Sequence, residues 1–354
     1  MKSIVLTGGG TAGHVTPNLA LVPLLREKGF RIHYIGSYDG MEKDIVSGKK
    51  HIHYYGISSG KLRRYFDVKN FTDPFKIIKG YFQARKILKD ILPSVVFSKG
   101  GFVTVPVVIA AKSLKIPVVI HESDFTSGLA NKIALPFATT MCTTFKEAAQ
   151  HAGSKGVVTG APVRSDILEG DSERGRIICG FEAGRPIIMI MGGSSGALAI
   201  NNCVDEALDE MIEKYQIIHI RGVANLKPEL EDKSGYRQFG YVNEELAHLM
   251  ACSDVIVSRA GANAIFEFSS LYKPMLLIPL PASASRGDQL HNAKYFEKNG
   301  FAKVLRQEFL NVTSLMDGIS EVYKNRYTYE TNMRSAGMGN GLEKIFEEIM
   351  KAAK

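Results

Sequence analysis

Three glycine-rich turns carry the residues of this sequence that are best suited to chemistry. Each follows a short apolar segment and precedes a helical one, at residues 8–13, 99–104 and 192–196. Glycine lets the backbone approach a ligand closely, and N–H groups at a helix N-terminus favour anions. His14 directly follows the first turn, and an imidazole can take up a proton near neutral pH. The pattern predicts phosphate binding at more than one place, with a candidate general base beside the first turn.

The first turn, Gly8-Gly9-Gly10-Thr11-Ala12-Gly13, also matches the GxGxxG pattern of dinucleotide-binding folds. Asp39 would then be the candidate ribose ligand. In that motif the last glycine lies in the first helical turn, whereas Thr16 and Pro17 place the helix start about three residues later. A tight turn without a ligand is a third interpretation. Neither Asp-x-Asp nor GxxxxGK[ST] occurs in the sequence, so we predict no metal, no P-loop chemistry and no cofactor.

Strands and helices of two parallel-sheet domains are predicted to position these turns. Apolar strands are predicted at 4–7, 31–35, 95–98 and 117–120, and again at 187–191, 216–220, 255–258 and 275–279. Helices are predicted at 16–28, with Thr16 as N-cap, at 104–114 and at 197–214. Continuous apolar strands that alternate with helices indicate sheets covered on both faces. The two halves open alike, with IVLTGGGTAG and IIMIMGGSSG, which predicts two doubly wound, Rossmann-like α/β domains.

The repeat sets the predicted domain boundaries. We expect an N-terminal domain over 1–162 and a C-terminal domain over 163–335. The remaining segment, 336–354, should form a helix at 343–354 that packs back on the first domain. The polar stretch 160–185 is the predicted linker region. At 354 residues, the chain is long enough to form two cores.

The cysteine spacing and the charge distribution indicate the cellular compartment of the protein and its binding partners. The four cysteines lie far apart without a CxxC or Cys/His cluster, which is typical of a reducing compartment. Since the sequence shows neither a signal peptide nor a run of about 18 apolar residues, we predict a cytosolic protein. Residues 61–89 hold nine basic and two acidic residues, which accounts for +7 of the net charge of +8. This basic segment predicts an anionic membrane surface as partner, and no nucleic acid, because no recognised nucleic-acid-binding motif accompanies it.

A helix predicted over 73–92 would carry part of that charge at a surface. At about 100° per residue, one apolar stripe is enough to pack the helix on its domain: Ile77, Tyr81, Ala84, Leu88 and Ile91. A second apolar stripe, formed by Phe75, Ile78 and Phe82, lies next to Lys79 and Lys86. Exposed aromatic residues edged by lysines are typical of an interfacial helix, so these five are the predicted membrane-docking residues. The alternative is that the second stripe packs beneath the loop 65–71.

Seven motifs resemble, in their order, those of the MurG family of bacterial peptidoglycan glycosyltransferases: GGGTAGHVTP, KGGFVTVP, HESD, APVR, GGSSGALAIN, SRAGANAIFE and RGDQLHNA. The resemblance spans about residues 1–305. It implies the GT-B fold, in which two Rossmann-like domains flank an interdomain cleft, and an inverting transfer without a metal. The implied donor is UDP-N-acetylglucosamine (UDP-GlcNAc), and the implied acceptor is the undecaprenyl-diphosphate-linked muramoyl-peptide intermediate (lipid I to lipid II). The implied location is peripheral, at the cytoplasmic face of the cell membrane.

The resemblance also implies roles for individual residues. His14 is the candidate catalytic base, and Gly100, Gly101 and Phe102 help to hold the acceptor diphosphate. Glu267 accepts hydrogen bonds from the ribose hydroxyls, and the main chain near Val242 reads the uracil edge. The implied donor-binding residues are Thr11, Ala12, Gly13, Asp124, Arg164, Ser194, Val242, Ala262, Asn263, Ala264, Ile265, Phe266, Glu267 and Gln289.

Three motifs depart from the family pattern: Ala12 stands for a second glycine, HESD for HEQN, and Phe102 for a tyrosine. Asp124 exchanges an amide, which can donate, for a carboxylate, which only accepts and repels phosphate. The alternatives are therefore another lipid glycosyltransferase of the same fold, for example one that acts on diacylglycerol, or a UDP-sugar 2-epimerase. A basic surface-binding protein without catalysis is the non-enzymatic alternative. His121 and His219, at strand ends, are predicted to be structural.

Overall fold

A computed structural model describes residues 2–60, 69–193, 196–231, 233–283 and 287–353, and of residues 69–72 it describes the backbone. The chain divides into two compact units, one formed by Met1–Arg164 with Asn340–Lys354 and the other by Ser165–Gly339. The boundaries predicted from the sequence, after residues 162 and 335, lie two and four residues before the observed ones.

The first unit is built on a seven-stranded sheet in the order β3-β2-β1-β4-β5-β6-β7, with parallel pairing throughout. Its strands are β1 (Ser3–Thr7), β2 (Arg31–Ser37), β3 (Ile52–Ile57), β4 (Val95–Ser98), β5 (Val118–Glu122), β6 (Thr140–Thr143) and β7 (Gly156–Val158). Its helices are α1 (Thr16–Ala20), α2 (Val22–Glu27), α3 (Met41–Ser47), α4 (Lys69–Ile91), α5 (Thr104–Ser113), α6 (Leu129–Ala134) and α7 (Lys146–His151). Parallel strands joined by crossover helices leave both faces of the sheet covered, as the continuous apolar strands predict.

The second unit repeats the same winding on a six-stranded parallel sheet, in the order β10-β9-β8-β11-β12-β13. Its strands are β8 (Ile187–Met191), β9 (Gln216–Ile220), β10 (Tyr236–Phe239), β11 (Val255–Ser258), β12 (Met275–Leu277) and β13 (Ala302–Val304). Its helices are α8 (Ser165–Leu168), α9 (Ser172–Cys179), α10 (Leu198–Lys214), α11 (Leu246–Cys252), α12 (Ala262–Ser270), α13 (Asp288–Lys298), α14 (Val312–Lys324) and α15 (Arg326–Ser335). In each sheet the chain starts at an inner strand, β1 or β8, adds strands on one side of it, and then adds the others on the opposite side. The predicted pair of doubly wound domains is confirmed.

The C-terminal helix α16 (Leu342–Ala352) belongs to the first unit. Its fully buried Ile345 and Ile349 join the cluster that contains Ile4, Leu6 and Phe97 of strands β1 and β4. At ~25 cal/mol per Å² of apolar surface, two fully buried isoleucines contribute several kcal/mol to holding the helix in place.

Two predicted elements differ from the observed ones. The helix predicted over 16–28 is two helices, α1 and α2, because Pro23 has no N–H to donate and lies instead in the first turn of α2. Thr16 is not its N-cap; it is the first residue of α1, and its hydroxyl donates to the carbonyl of Ala12 at 3.1 Å. The predicted linker 160–185 contains α8 and α9. Asp171 caps α9 by accepting from the backbone N–H groups of Glu173 and Arg174.

Candidate active site

The loops that follow β1, β4 and β5 meet at one edge of the first sheet, because these three strands are neighbours and parallel. The first and second glycine turns are in direct contact there: the N–H of Gly9 donates to the carbonyl of Gly100 at 3.3 Å. A Cβ on Gly101 would overlap the carbonyl oxygen of Gly9, and Gly101 also has a φ of +91°. Only glycine therefore fits where the candidate acceptor-binding turn touches the turn that precedes His14.

His14 ends a short 3₁₀ turn, Ala12–His14, that links the first glycine turn to α1. Its Nδ1 lies 2.9 Å from the carbonyl oxygen of Gly9 and 3.2 Å from the hydroxyl of Thr11. A carbonyl oxygen can only accept, so in the neutral ring Nδ1 carries the hydrogen and Nε2 is the nitrogen that can accept a proton. The fold thus holds this imidazole in the tautomer that a general base requires.

Two buried polar residues that the sequence analysis did not identify hold the start of the first turn. The hydroxyl of Tyr34 donates to the carbonyl of Gly8 at 2.8 Å, and burial raises its pKa well above the usual range. The amide of Asn18, in α1, donates to the carbonyl of Thr7 at 3.1 Å. Both residues are fully buried, so they fix the turn from within the domain. Asn18 follows the HVTP segment, but nothing local in the sequence distinguishes a bonded amide from a solvated one.

A buried charge cluster follows β4 and β5. Lys99, only 2% exposed, donates to the hydroxyl of Ser123. Burial lowers the pKa of Lys99 to about 8, although Glu122 and Asp124 act to raise it. Glu122 accepts from the backbone N–H groups of Asp124 and Gly128 at 3.0 and 2.9 Å, and from Asn131 at 2.9 Å. The carboxylate of Asp124, half-buried, therefore lies in the field of a buried cation, which offsets its negative charge.

The two strand-end histidines are fully buried. His121 donates through Nε2 to the carbonyl of Gly160 at 3.1 Å, and burial beside Lys99 holds its pKa well below 6.5. His219 contacts the hydroxyl of Tyr236 and the side chain of Asn201, both at 3.1 Å, and burial lowers its pKa to about 3. Both rings are neutral at physiological pH and serve the packing of their domains.

In the second unit the candidate donor residues follow the carboxyl ends of β8, β10 and β11. Ser194 lies outside the described residues. Gly196, in the same turn, is closely packed, since a Cβ on it would overlap the carbonyl oxygen of Arg221. Val242 is buried and follows β10, and Glu267 is half-buried in α12. The candidate stretch from 262 to 267 is the first part of that helix: Ala262, Asn263, Ala264, Ile265, Phe266 and Glu267.

Gln289 lies in the first turn of α13, and its side-chain oxygen accepts from the backbone N–H of Leu280 at 3.0 Å. It therefore ties the start of α13 to the loop after β12. Arg164, which ends the N-terminal segment of the first unit, is half-buried. Within the described ranges, no group of three His, Cys, Asp or Glu side chains is placed to hold a metal ion.

The long helix α4 exposes the second of its two apolar stripes. Phe75, Ile78 and Phe82 are 74%, 55% and 64% exposed, and Lys79 and Lys86 are exposed as well. The first stripe faces the domain, where Ala84 and Leu88 are fully buried. The helix begins at Lys69, and residues 65–68 of the loop considered as an alternative cover lie outside the described residues. In the part of the chain that the structure describes, no helix is long and apolar enough to cross a membrane.

Comparison with known proteins agrees with this arrangement over both units. Residues 4–143 match the glycosyltransferase family 28 N-terminal domain, and residues 187–351 match the glycosyltransferase family 28 C-terminal domain. A UDP-N-acetylglucosamine--N-acetylmuramyl-(pentapeptide) pyrophosphoryl-undecaprenol N-acetylglucosamine transferase of Clostridium botulinum (strain 657 / Type Ba4) is 55% identical over 355 residues, which covers 100% of both chains. The chain belongs to the MurG family of glycosyltransferases.

Two further relatives support the assignment to the MurG family. The transferase of the same name from Clostridium perfringens (strain ATCC 13124) is 54% identical over 351 residues, covering 99% of this chain and 98% of its own. The crystal structure of MurG from Acinetobacter baumannii superposes with a TM-score of 0.77 at 25% identity, covering 99% of this chain and 100% of that one. The resemblance found in the seven motifs is confirmed, and so is the two-domain fold that it implies.

Proposed function

We propose that this chain transfers N-acetylglucosamine from UDP-GlcNAc to the muramoyl-peptide group of an undecaprenyl-diphosphate-linked acceptor, converting lipid I to lipid II. The relatives that match it over its full length carry the name of that transferase. The observation that carries the proposal is local: His14, with Nδ1 bonded to Gly9, stands on the turn that contacts Gly100 and Gly101. A proton acceptor thus adjoins a glycine turn of the kind that binds phosphate through backbone N–H groups.

The proposed reaction is a single in-line displacement. The acceptor hydroxyl gives its proton to Nε2 of His14, and its oxygen forms a bond to the anomeric carbon. The bond from that carbon to the UDP oxygen breaks, and its electron pair leaves with UDP, so the configuration is inverted. Backbone N–H groups and helix N-termini stabilise the charge that develops on the diphosphate, without a metal.

The residues proposed to bind the donor are found in each of the two units. Thr11, Ala12 and Gly13 contact the sugar near His14, and Asp124 binds beside them with its charge offset by Lys99. Gly100, Gly101 and Phe102 hold the acceptor diphosphate. The remaining donor residues are Arg164, Ser194, Val242, Gln289 and the α12 residues Ala262, Asn263, Ala264, Ile265, Phe266 and Glu267.

Replacing Glu267 with alanine is expected to weaken UDP binding by roughly ten- to a hundred-fold. A hydrogen bond to a charged acceptor contributes about 1.5–3 kcal/mol, and the ribose hydroxyls would lose theirs. Titration calorimetry with UDP measures the effect directly. Glu206→Ala, which removes an exposed carboxylate from α10 in the same unit, is the matched control and should bind UDP as the wild type does. An unchanged affinity of the Glu267 variant would show that this side chain does not bind UDP and only forms part of the solvated face of the helix.

We further propose that the protein is peripheral at the cytoplasmic face of the cell membrane, bound through α4 to anionic lipid. The exposed Phe75, Ile78 and Phe82 insert at the interface, and Lys79 and Lys86 contact anionic headgroups. Each basic residue near an anionic surface contributes about 1 kcal/mol. This placement brings the enzyme to its lipid-linked acceptor.

One incubation separates this function from its alternatives. The purified protein is incubated with radiolabelled UDP-GlcNAc in three parallel reactions. One contains the undecaprenyl-diphosphate-linked muramoyl-peptide, one contains diacylglycerol, and one contains no acceptor. The proposal predicts labelled lipid only with the first acceptor. Label in diacylglycerol would indicate a different lipid glycosyltransferase. Conversion of UDP-GlcNAc without an acceptor would indicate an epimerase, and the absence of any UDP release would indicate a binding protein.

A further inference from the structure

Glu42, in α3, is a carboxylate buried against the first glycine turn, with a side chain 1% exposed. Its Oε2 accepts from the backbone N–H of Gly10 at 3.1 Å. Its Oε1 accepts from the N–H and the hydroxyl of Ser37, at 2.9 and 2.6 Å. Burial acts to raise the pKa of Glu42, but the hydrogen bonds from Ser37 and Gly10 outweigh it and hold the pKa below its usual value. The carboxylate is therefore ionised at neutral pH.

The surrounding backbone is shaped to admit this carboxylate. A Cβ on Gly9 would lie 2.6 Å from Cδ of Glu42, and a Cβ on Gly40 would overlap the carboxylate oxygens. Glycine at these two positions thus leaves the space that the charged group fills. Since the N–H of Gly10 donates to a carboxylate, it is not offered to a phosphate, and this group serves a purpose other than diphosphate binding.

A single peptide group joins Glu42 to His14. The C=O of Gly9 and the N–H of Gly10 belong to the same planar amide. Its N–H donates to Glu42, and its oxygen accepts from Nδ1 of His14 at 2.9 Å. A negative charge at the N–H end polarises the amide and makes its oxygen a stronger acceptor, because hydrogen bonds in a chain reinforce one another.

We propose that Glu42 is a positioning residue that acts on His14 through the amide between Gly9 and Gly10. The carboxylate fixes the orientation of that amide, so Nδ1 keeps its hydrogen and Nε2 remains the proton acceptor. Its charge also stabilises the imidazolium that forms when Nε2 takes the proton of the acceptor hydroxyl. The arrangement follows the logic of a carboxylate–imidazole pair, with one peptide group inserted between the partners. The inference rests on the proposed function, because the imidazolium arises only during transfer.

Glu42→Gln tests this inference, since glutamine keeps the size of the side chain but removes its charge. The expected kcat is roughly ten-fold lower, because charge-assisted hydrogen bonds are about twice as strong as neutral ones. The KM for UDP-GlcNAc and the melting temperature should stay near the wild-type values. In a His14→Ala background the same change should cause no further loss, because no imidazole remains for the carboxylate to act on. Asp44→Asn, which alters an exposed carboxylate on the same helix, is the matched control and should keep the wild-type kcat.

Each other outcome overturns the inference. A further ten-fold loss in the double variant would show that Glu42 acts independently of His14, and a wild-type kcat in Glu42→Gln would show that it does not act at all. In either case, transfer by the wild-type protein would leave the proposed function unaffected. Absence of transfer by the wild-type protein would overturn the proposed function and the inference on Glu42 together. If Glu42→Gln does not fold, Ser37→Ala replaces it. Loss of the hydroxyl that orients the carboxylate should lower kcat only where His14 is present.

Discussion

Replacing His14 with alanine is expected to lower kcat by about 10²- to 10⁴-fold and to change the KM for UDP-GlcNAc little. The imidazole takes its proton in the transition state, so its loss removes stabilisation that the bound substrates do not share. Its Nδ1 is committed to Gly9 at 2.9 Å, which leaves Nε2 as the base. Steady-state kinetics with a soluble acceptor analogue separate the two parameters.

His51→Ala is the matched control, because His51 is an exposed histidine of the same unit, just before β3. It should show wild-type kinetics. Near-normal turnover by the His14 variant would show that His14 is not the general base. Asp124 and Glu122 would then be the next candidates for the base.

Loss of binding to anionic vesicles is expected for a variant of α4 in which Phe75 and Phe82 are changed to serine, and Lys79 and Lys86 to glutamate. Two lysines changed to glutamate alter the charge by four units, and at about 1 kcal/mol per charge this weakens binding by roughly a thousand-fold before the lost aromatic contacts are counted. Sedimentation with vesicles that contain phosphatidylglycerol measures the bound fraction. Transfer to a short, soluble acceptor analogue should survive.

The matched control replaces two aromatic residues and two lysines at exposed positions of the second unit: Phe309→Ser, Tyr327→Ser, Lys298→Glu and Lys324→Glu. That variant should still sediment with vesicles. If a folded α4 variant bound vesicles as strongly as the wild type, the membrane-binding surface would have to lie elsewhere on the protein.

The strands that the sequence predicted are inner strands or lie next to the glycine turns. Continuous apolar runs such as IVLT and IIMIM identify strands buried on both faces, and β1 and β8 are of this kind. The four edge strands, β3, β7, β10 and β13, were missed, and so was the inner strand β6. Each of the edge strands includes half-buried residues or polar side chains, as in IHYYGI and YRQF, because an edge strand is only partly covered. A half-covered strand does not produce a continuous apolar run.

The residues of the candidate site also divide into those that could be predicted from the sequence and those that could not. His14 and the glycine turns could be predicted, because their chemistry is visible in adjacent residues and the turn requires glycine. Glu42 could not, since its hydrogen bond to Gly10 spans 32 residues and nothing local marks it as buried. Lys99 is the first residue of a recognised turn, yet its burial and its proximity to Asp124 depend on the pairing of β4 with β5. Contacts between loops of neighbouring strands arise only once the order of the sheet is known.

Transfer of labelled N-acetylglucosamine to the undecaprenyl-diphosphate-linked muramoyl-peptide, with EDTA in the buffer, tests both the proposed reaction and its independence of metal. We expect labelled lipid at the same rate with EDTA as with Mg²⁺, because backbone N–H groups and helix N-termini stabilise the departing UDP. Transfer that EDTA abolishes and Mg²⁺ restores would contradict the mechanism. No labelled lipid under either condition, from a folded protein that binds UDP, would contradict the function itself.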